Sequence, residues 1–262
     1  MSAIYDFIDG NELLIYFEEI KKEIKFDLMI NQGRPVSRLV AIQGDIIDDV
    51  KPLYRHPTDK QPDITEWTPT VFKIKNYIST KLGQNLNHCL IQWYRNGFDN
   101  ISDHCDKTLD IEMGTSIVNY SIGATRKMSL KPKNKLSNED KRIILLKHNS
   151  LFVLDWETNK KYLHSIKADK RRECEKTEDE RYCNGERISF TFRTIATFID
   201  SNGVVKGQGA KTSVPTSDGD AMELLKAFSR ENHEYEYDWH DIYGGGFNSF
   251  DFSTISISRE ND

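Results

Sequence analysis

At 262 residues, with 37% hydrophobic, 11% aromatic and 29% charged side chains, the chain can bury a full core as one large domain or two small ones, which excludes a disordered polymer. No apolar run approaches the ~18 residues of a membrane span, and the acidic start MSAIYDFIDGNE lacks a secretory pattern, so a monomeric protein of the cytosol or nucleus with no membrane contact is expected. The net charge of −5 argues against a nucleic-acid coat, but it is uneven: residues 217–262 hold 11 acidic and 3 basic side chains (net −8), leaving +3 on residues 1–216.

In chain order, residues 10–26 read as an amphipathic helix, with Leu13, Phe17, Ile20 and Ile24 at helical spacing. INQGRPVSRLVAIQGD follows as turn, short strand, turn. Residues 70–82 form a second helix striped by Val71, Ile74, Ile78 and Leu82, with Gly83 as its stop. From Asn85 onward, seven short β-rich runs alternate with turns: NHCLIQWY, GTSIVNYSIGA, RKMSLKPK, RIILLK, SLFVLDW, KYLHSIK and RISFTFRTIATFI. Such a series predicts a sandwich or barrel, not a parallel sheet. Residues 133–141 and 168–186 are charged loops, and 200–220 read as a linker or long loop. A short helix is expected at about 221–232, with Leu224, Leu225 and Phe228 on one side, followed by an aromatic tail that docks on the core. The four cysteines, Cys89, Cys105, Cys174 and Cys183, form no C-x-x-C pair and read as reduced thiols.

The chemistry concentrates at DNISDHCDKTLD, which holds the chain's only H-x-D. At a strand end, residues two apart point the same way, so His104 and Asp106 aim an imidazole and a carboxylate at one point. A non-haem Fe(II) site needs one more histidine and leaves positions open. His148 lies in a turn; His164 lies inside an apolar-alternating run, and a buried neutral imidazole is the better ligand, which favours His164. RISFTFR then alternates cleanly: Arg187, Ser189, Thr191 and Arg193 on one face, Ile188, Phe190 and Phe192 on the other. Its two guanidiniums stand about 20 Å apart along the strand and suit a small dicarboxylate. In CLIQWY, Gln92 and Tyr94 share a face and can donate to a carboxylate.

This order of motifs resembles the AlkB family of Fe(II)- and 2-oxoglutarate-dependent dioxygenases, which reads N-x-Y, H-x-D, H and R-x-N-x-T-F-R. The resemblance spans about residues 30–200 and includes SRLVAIQGD and WTPTVFKI; the tail pieces GQGA and DIYGGGF are similar to a fungal AlkB-like group. It implies an α+β, mainly β fold: a double-stranded β-helix (jelly roll) with N-terminal helices packed on it, over residues 1–200, and a C-terminal extension over 201–262. It implies that His104, Asp106 and His164 hold Fe(II), that O2 is the co-substrate, and that Arg187 and Tyr94 bind the distal carboxylate of 2-oxoglutarate. By the same resemblance Arg193 serves the carboxylate beside the metal. Gln92 and Ser189 stand where the family has Asn, and each keeps a hydrogen-bonding group.

The implied reaction is oxidative demethylation of alkylated nucleic-acid bases. Hydroxylation or demethylation of a small molecule or protein side chain is the alternative, and a non-catalytic jelly-roll binding module is a third reading. Two basic runs (Arg126, Lys127, Lys131, Lys133, Lys135 and Lys167, Lys170, Arg171, Arg172) are candidates for phosphate contact. The repair enzymes place an acidic residue two positions after the ligand aspartate; here that position is Thr108, which marks KTLD as the place where substrate choice departs from the family.

Overall fold

The computed structural model describes residues 3–9, 17–134, 141–211, 218–250 and 252. From the N-terminus its main elements are α1 (Phe17–Glu23), β1 (Leu39–Gly44), β2 (Ile64–Thr65), α2 (Pro69–Leu82), β3 (His88–Tyr94), β4 (Ile101–His104), β5 (Ile117–Gly123), β6 (Arg126–Pro132), β7 (Arg142–Leu146), β8 (Ser150–Leu154), α3 (Trp156–Lys161), β9 (Tyr162–Ile166), β10 (Arg187–Arg193), α4 (Asp218–His233) and α5 (Trp239–Tyr243). Six strands form one sheet in the order β8-β5-β10-β3-β1-β2, and four form a second in the order β7-β6-β9-β4. Every pairing is antiparallel except β1 with β2. This is the jelly-roll arrangement, with two sheets facing each other and no closed barrel.

The period-2 alternation of the strands assigns each side chain to one of two apolar layers. Ile188, Phe190 and Phe192 of β10 point outward and pack with Val118, Tyr120, Cys89 and Ile91 under α1 and α2, which contribute Phe17, Ile20, Val71, Ile74 and Ile78. Between the sheets lie Ile117, Phe152 and Leu154 from the larger one and Met128, Leu130, Ile144, Leu146 and Ile166 from the smaller. The polar residues of β10 therefore face into the space between the sheets, which is where a site must form. α2 begins at Pro69, whose fixed φ suits a first turn, and stops at Gly83 in the left-handed region (φ 62°), close to its expected bounds.

Three expectations need correction. The first helix ends at Glu23, before residue 26, because the chain is drawn into a bridge between Asp27 and Val40; residues 10–16 of that expected helix lie outside the described residues. The run RISFTFRTIATFI breaks after Arg193: Thr197–Ile199 leaves the large sheet to pair with Val205–Gly207 and Lys51–Pro52. That pairing also sets a three-residue strand, Val205–Gly207, inside the expected linker or loop of 200–220, of which 212–217 lie outside the described residues and 218–220 belong to α4. The expected helix near 221–232 runs from Asp218 to His233, and its Ala221, Leu224, Ala227 and Phe228 pack with Leu109, Ile242, Tyr243 and Phe252 in a third apolar layer.

Candidate metal centre and its cavity

β4 and β9 are neighbours in the smaller sheet, and His104 and His164 are direct register partners across them. Their rings lie 4.2 Å apart, centroid to centroid. Asp106 follows two residues after the end of β4, with Oδ1 3.9 Å from His164 Nε2. Ligand atoms of all three lie within 4.8 Å of one another. The turn carrying Asp106 is fixed from outside the strand: its N–H donates to Asn159 Oδ1 (3.0 Å), and Asn159 Nδ2 donates back to its carbonyl (2.8 Å). The side chain of His104 is oriented by Nδ1 against Ser102 O at 2.8 Å. Desolvation and the neighbouring His164 push the His104 imidazole down to about 3, and desolvation lowers His164 as well. Burial alone would raise Asp106, but Arg193, His164 and His104 hold its carboxyl well below the usual carboxylate range. Two neutral imidazoles and one ionised carboxylate are the protonation states a divalent metal requires.

Between the sheets, next to this cluster, is a cavity of about 70 Å³ lined by Gln92, Tyr94, Asn119, Ser189, Thr191 and Arg193 as well as His104, Asp106 and His164. The register of the large sheet explains the grouping: Arg187 sits opposite Tyr94, and Ser189 opposite both Gln92 and Ser121. Arg187 is 0% exposed and has no carboxylate partner. Its Nη2 donates to Ser121 Oγ (2.8 Å), Ser189 Oγ (3.1 Å) and Asn119 Oδ1 (3.2 Å). Its Nε and Nη1 have no partner among the described residues, and burial pulls the guanidinium down to about 10. The Tyr94 ring lies 5.2 Å from its Cζ. Arg193, also buried, donates to Asp106 Oδ2 at 2.7 and 3.2 Å and stacks 4.1 Å from the Tyr54 ring, while its Nη1 is unpartnered. Gln92 accepts from Arg38 Nε.

The donors fit the groups implied by the sequence. Two imidazoles and a carboxylate on one side of a cavity suit Fe(II) with open positions. A buried guanidinium with two orphaned N–H-bearing nitrogens is an anion site in waiting, since an unmade bond to a charged donor costs about 1.5–3 kcal/mol.

His148, the other histidine considered as a ligand, is elsewhere: its Nδ1 accepts from Gly123 N at 3.1 Å and its ring packs on Tyr182. Asn119 and Ser121 were missed. They alternate with Val118, Tyr120 and Ile122 in β5, the same signal that marks β10. The basic runs are largely committed within the molecule. Arg126 is buried, donating to the carbonyls of Asn96, Gly97, Asp99 and Lys167. Lys127 and Lys131 pair with Glu180 and Asp103, Arg171 with Asp169 and Glu180, and Arg172 with Glu175. Lys133 donates to Glu231 O, and Lys135 lies outside the described residues.

Thr108, Leu109 and Asp110 of KTLD form the ledge on which the C-terminal extension docks, while Lys107 borders the cleft beside the metal cluster. Thr108 N–H and Oγ1 both donate to Glu231, a fully buried carboxylate of α4 that also accepts from Tyr237 (3.1 Å) and Tyr243 (2.6 Å). Lys107 Nζ donates to Phe228 O (3.0 Å) and Asn232 Oδ1 (2.9 Å). Asp110 is held by Arg55 (Nη2 to Oδ1, 2.6 Å), which also donates to the carbonyls of Gly209 and Phe247 (2.9 and 2.6 Å). A Cβ on Gly209 would stand 2.6 Å from Arg55 Nη2, which explains a glycine in GQGA. The metal cluster opens to a wider cleft of about 330 Å³, bordered by Arg38, Tyr54, His56, Lys107 and Asn232.

Residues 1–193 match the family model described as the 2OG-Fe(II) oxygenase superfamily. The human DNA oxidative demethylase ALKBH2 is 28% identical over 134 residues, covering 49% of this chain and 47% of that protein. The rat alpha-ketoglutarate-dependent dioxygenase alkB homolog 3 is 24% identical over 167 residues, covering 62% and 51%. The chain thus spans about half the length of these curated relatives. Among solved structures, that of OsALKBH1 aligns with a TM-score of 0.47 and 16% identity over 73% of this chain and 96% of that one. Among the described residues, no helix is long and apolar enough to cross a membrane.

Proposed function

Since the chain belongs to the 2OG-Fe(II) oxygenase superfamily, we propose that it is an AlkB-like dioxygenase that oxidatively demethylates alkylated nucleic-acid bases. The observation that carries this reading is the pairing of a His104–Asp106–His164 cluster within 4.8 Å with the buried Arg187, which has no carboxylate partner among the described residues and sits behind the Tyr94, Asn119 and Ser189 that line the adjoining cavity. When bound, Fe(II) and 2-oxoglutarate supply the oxidation of a substrate C–H bond by O2, with succinate and CO2 as co-products.

The chain's own residues do the rest. His104, Asp106 and His164 would hold the metal, kept in the right protonation states by desolvation and by Arg193. Arg187 would bind the distal carboxylate of 2-oxoglutarate through its orphaned nitrogens, with Ser121, Ser189 and Asn119 fixing the guanidinium plane and Tyr94 packed on it. Gln92 lines the same cavity, anchored by Arg38. Arg193 donates to the ligand Asp106 and would offer its unpartnered Nη1 to the carboxylate of 2-oxoglutarate beside the metal. Asn159 holds the Asp106 backbone so that the carboxylate keeps its aim. The apolar wall of Ile101, Ile117, Met128 and Phe152 keeps bulk water out of the cavity.

The test is formaldehyde release from a single-stranded oligonucleotide with one N-methylated base, with Fe(II) and 2-oxoglutarate supplied. Release by the wild type and none by His104→Ala supports the reading. Vigorous succinate formation with an unchanged oligonucleotide sinks the nucleic-acid half of it. One observation favours a second reading, a small molecule or protein side chain as substrate: six of the nine cations in the two basic runs are already bonded within the fold, four to carboxylates and two to backbone carbonyls. A binding affinity that falls steeply with salt would argue for the nucleic acid.

A further inference from the structure

The cleft outside the metal cluster has an uneven supply of hydrogen-bonding groups. Arg38, Lys107 and Arg193 bring positive charge to its lining, and Asp106 is the one carboxylate there, already bonded by Arg193. The two acids nearest the ledge do not reach the cleft. Glu231 and Asp110 are both 0% exposed, the first saturated by Thr108, Tyr237 and Tyr243, the second clamped by Arg55. Among the described residues a cationic methylated base finds no unpaired carboxylate there, and it meets several like charges.

Asn232, from the last turn of α4, borders this cleft. Its Oδ1 accepts from Cys105 N–H (3.1 Å) and from Lys107 Nζ (2.9 Å), with Cys105 Sγ at 3.3 Å. A backbone N–H and an ammonium can only donate, so they fix which end of the carboxamide is oxygen. The Nδ2 end has no partner among the described residues. The C-terminal extension thus places an oriented N–H donor beside the metal cluster, held by the Glu231–Thr108 clasp one residue away.

We propose that Asn232 is a specificity-determining residue whose Nδ2 donates to a carbonyl oxygen of the substrate base. The cleft then takes neutral, carbonyl-bearing N-methylated bases ahead of cationic methylated adenine or cytosine. This rests on the demethylase reading above and narrows its substrate class. A carbonyl lying against Asn232 gains a hydrogen bond and meets Arg38 without repulsion, whereas a cationic ring bearing an exocyclic amino group sets donor against donor.

The experiment compares single-stranded oligonucleotides carrying one 3-methylthymine or one 1-methyladenine, with formaldehyde release giving kcat/KM for each. The ratio of the two is the readout, because partial misfolding scales both alike. The wild type is expected to favour 3-methylthymine by about tenfold, the scale of one good base contact. Asn232→Asp keeps an oxygen for Cys105 and Lys107 but turns the donor into an acceptor, and is expected to move the ratio at least about tenfold toward 1-methyladenine. Asn232→Ala lowers the 3-methylthymine value more than the other. Arg230→Ala, an exposed residue on the same helix, leaves the ratio where it was. A wild type that favours 1-methyladenine, or an Asn232→Asp ratio equal to the wild type, overturns the proposal alone. A wild type inert on both oligonucleotides overturns it together with the demethylase reading.

Discussion

Two buried polar regions sit within a few residues of each other on the DHCDKTLD segment, and they are built oppositely. In and behind the cavity wall, polar groups are left with bonds unmade: the guanidinium nitrogens Arg187 Nε and Nη1 and Arg193 Nη1, and Nδ1 of the neutral His164, all lack partners among the described residues. In the C-terminal clasp, Glu231 accepts from Thr108, Tyr237 and Tyr243, and Arg55 fills itself with Asp110 and tail carbonyls; none of these side chains is among the orphaned groups. An unsatisfied buried charge is unfavourable for folding and is retained where a ligand completes it; a saturated one holds the chain together. The contrast separates the part of the motif that does chemistry from the part that anchors an extension.

The sharpest way to break the comparison is at the metal cluster. His104→Ala or Asp106→Ala is expected to cut succinate formation by well over the roughly 10–100-fold typical of residues that only orient a ligand. Loss by a smaller factor would mean that the cluster is not where the metal works. In the clasp, Glu231→Ala leaves four donors without an acceptor and is expected to cost about 3–5 kcal/mol in chemical denaturation, the range for breaking a buried charged network. A change below about 1 kcal/mol, the scale of a single exposed ion pair, would show the clasp to be ornamental. Arg187 should behave in the reverse sense. Arg187→Met removes an uncompensated buried charge, so the apo protein is expected to melt no lower than the wild type. Its KM for 2-oxoglutarate should rise on the order of 10–100-fold, the scale of one or two lost charge-assisted bonds.

The smallest effect is a pH slope. Burial and then Arg193 hold the His88 imidazole well below 6.5, so the unfolded chain binds the extra proton first. This stabilising contribution is full above pH 6.5 and is lost as pH falls below it. His88→Phe should therefore flatten the decline of Tm between pH 7 and 5; an unchanged slope would place the titration elsewhere.

Much of the cavity was legible because it rests on strand periodicity. The alternation in RISFTFR puts Arg187 and Arg193 on one face and its three apolar residues on the other, and the structure turns that apolar face under the helices. Asn119 and Ser121 carry the same alternation in IVNYSIG, but no guanidinium shares their strand face to single it out. That His164 meets His104 across two strands depends on the order of strands in the smaller sheet, which no local pattern encodes. The clasp was illegible for a related reason. Glu231 on an amphipathic helix reads as a solvated face, and its partner Thr108 lies 123 residues away. Thr108 reads as a missing substrate contact because its partner Glu231 lies on the helix expected at about 221–232, and no local pattern joins the two.

The central claim, that the orphaned guanidinium of Arg187 marks the 2-oxoglutarate site, is tested most directly by calorimetric titration of 2-oxoglutarate into the Mn(II)-loaded protein under anaerobic conditions. The account predicts one site per chain in the wild type, and binding weakened on the order of 10–100-fold in Arg187→Met with the metal still bound. Equal affinity in the two proteins would contradict it.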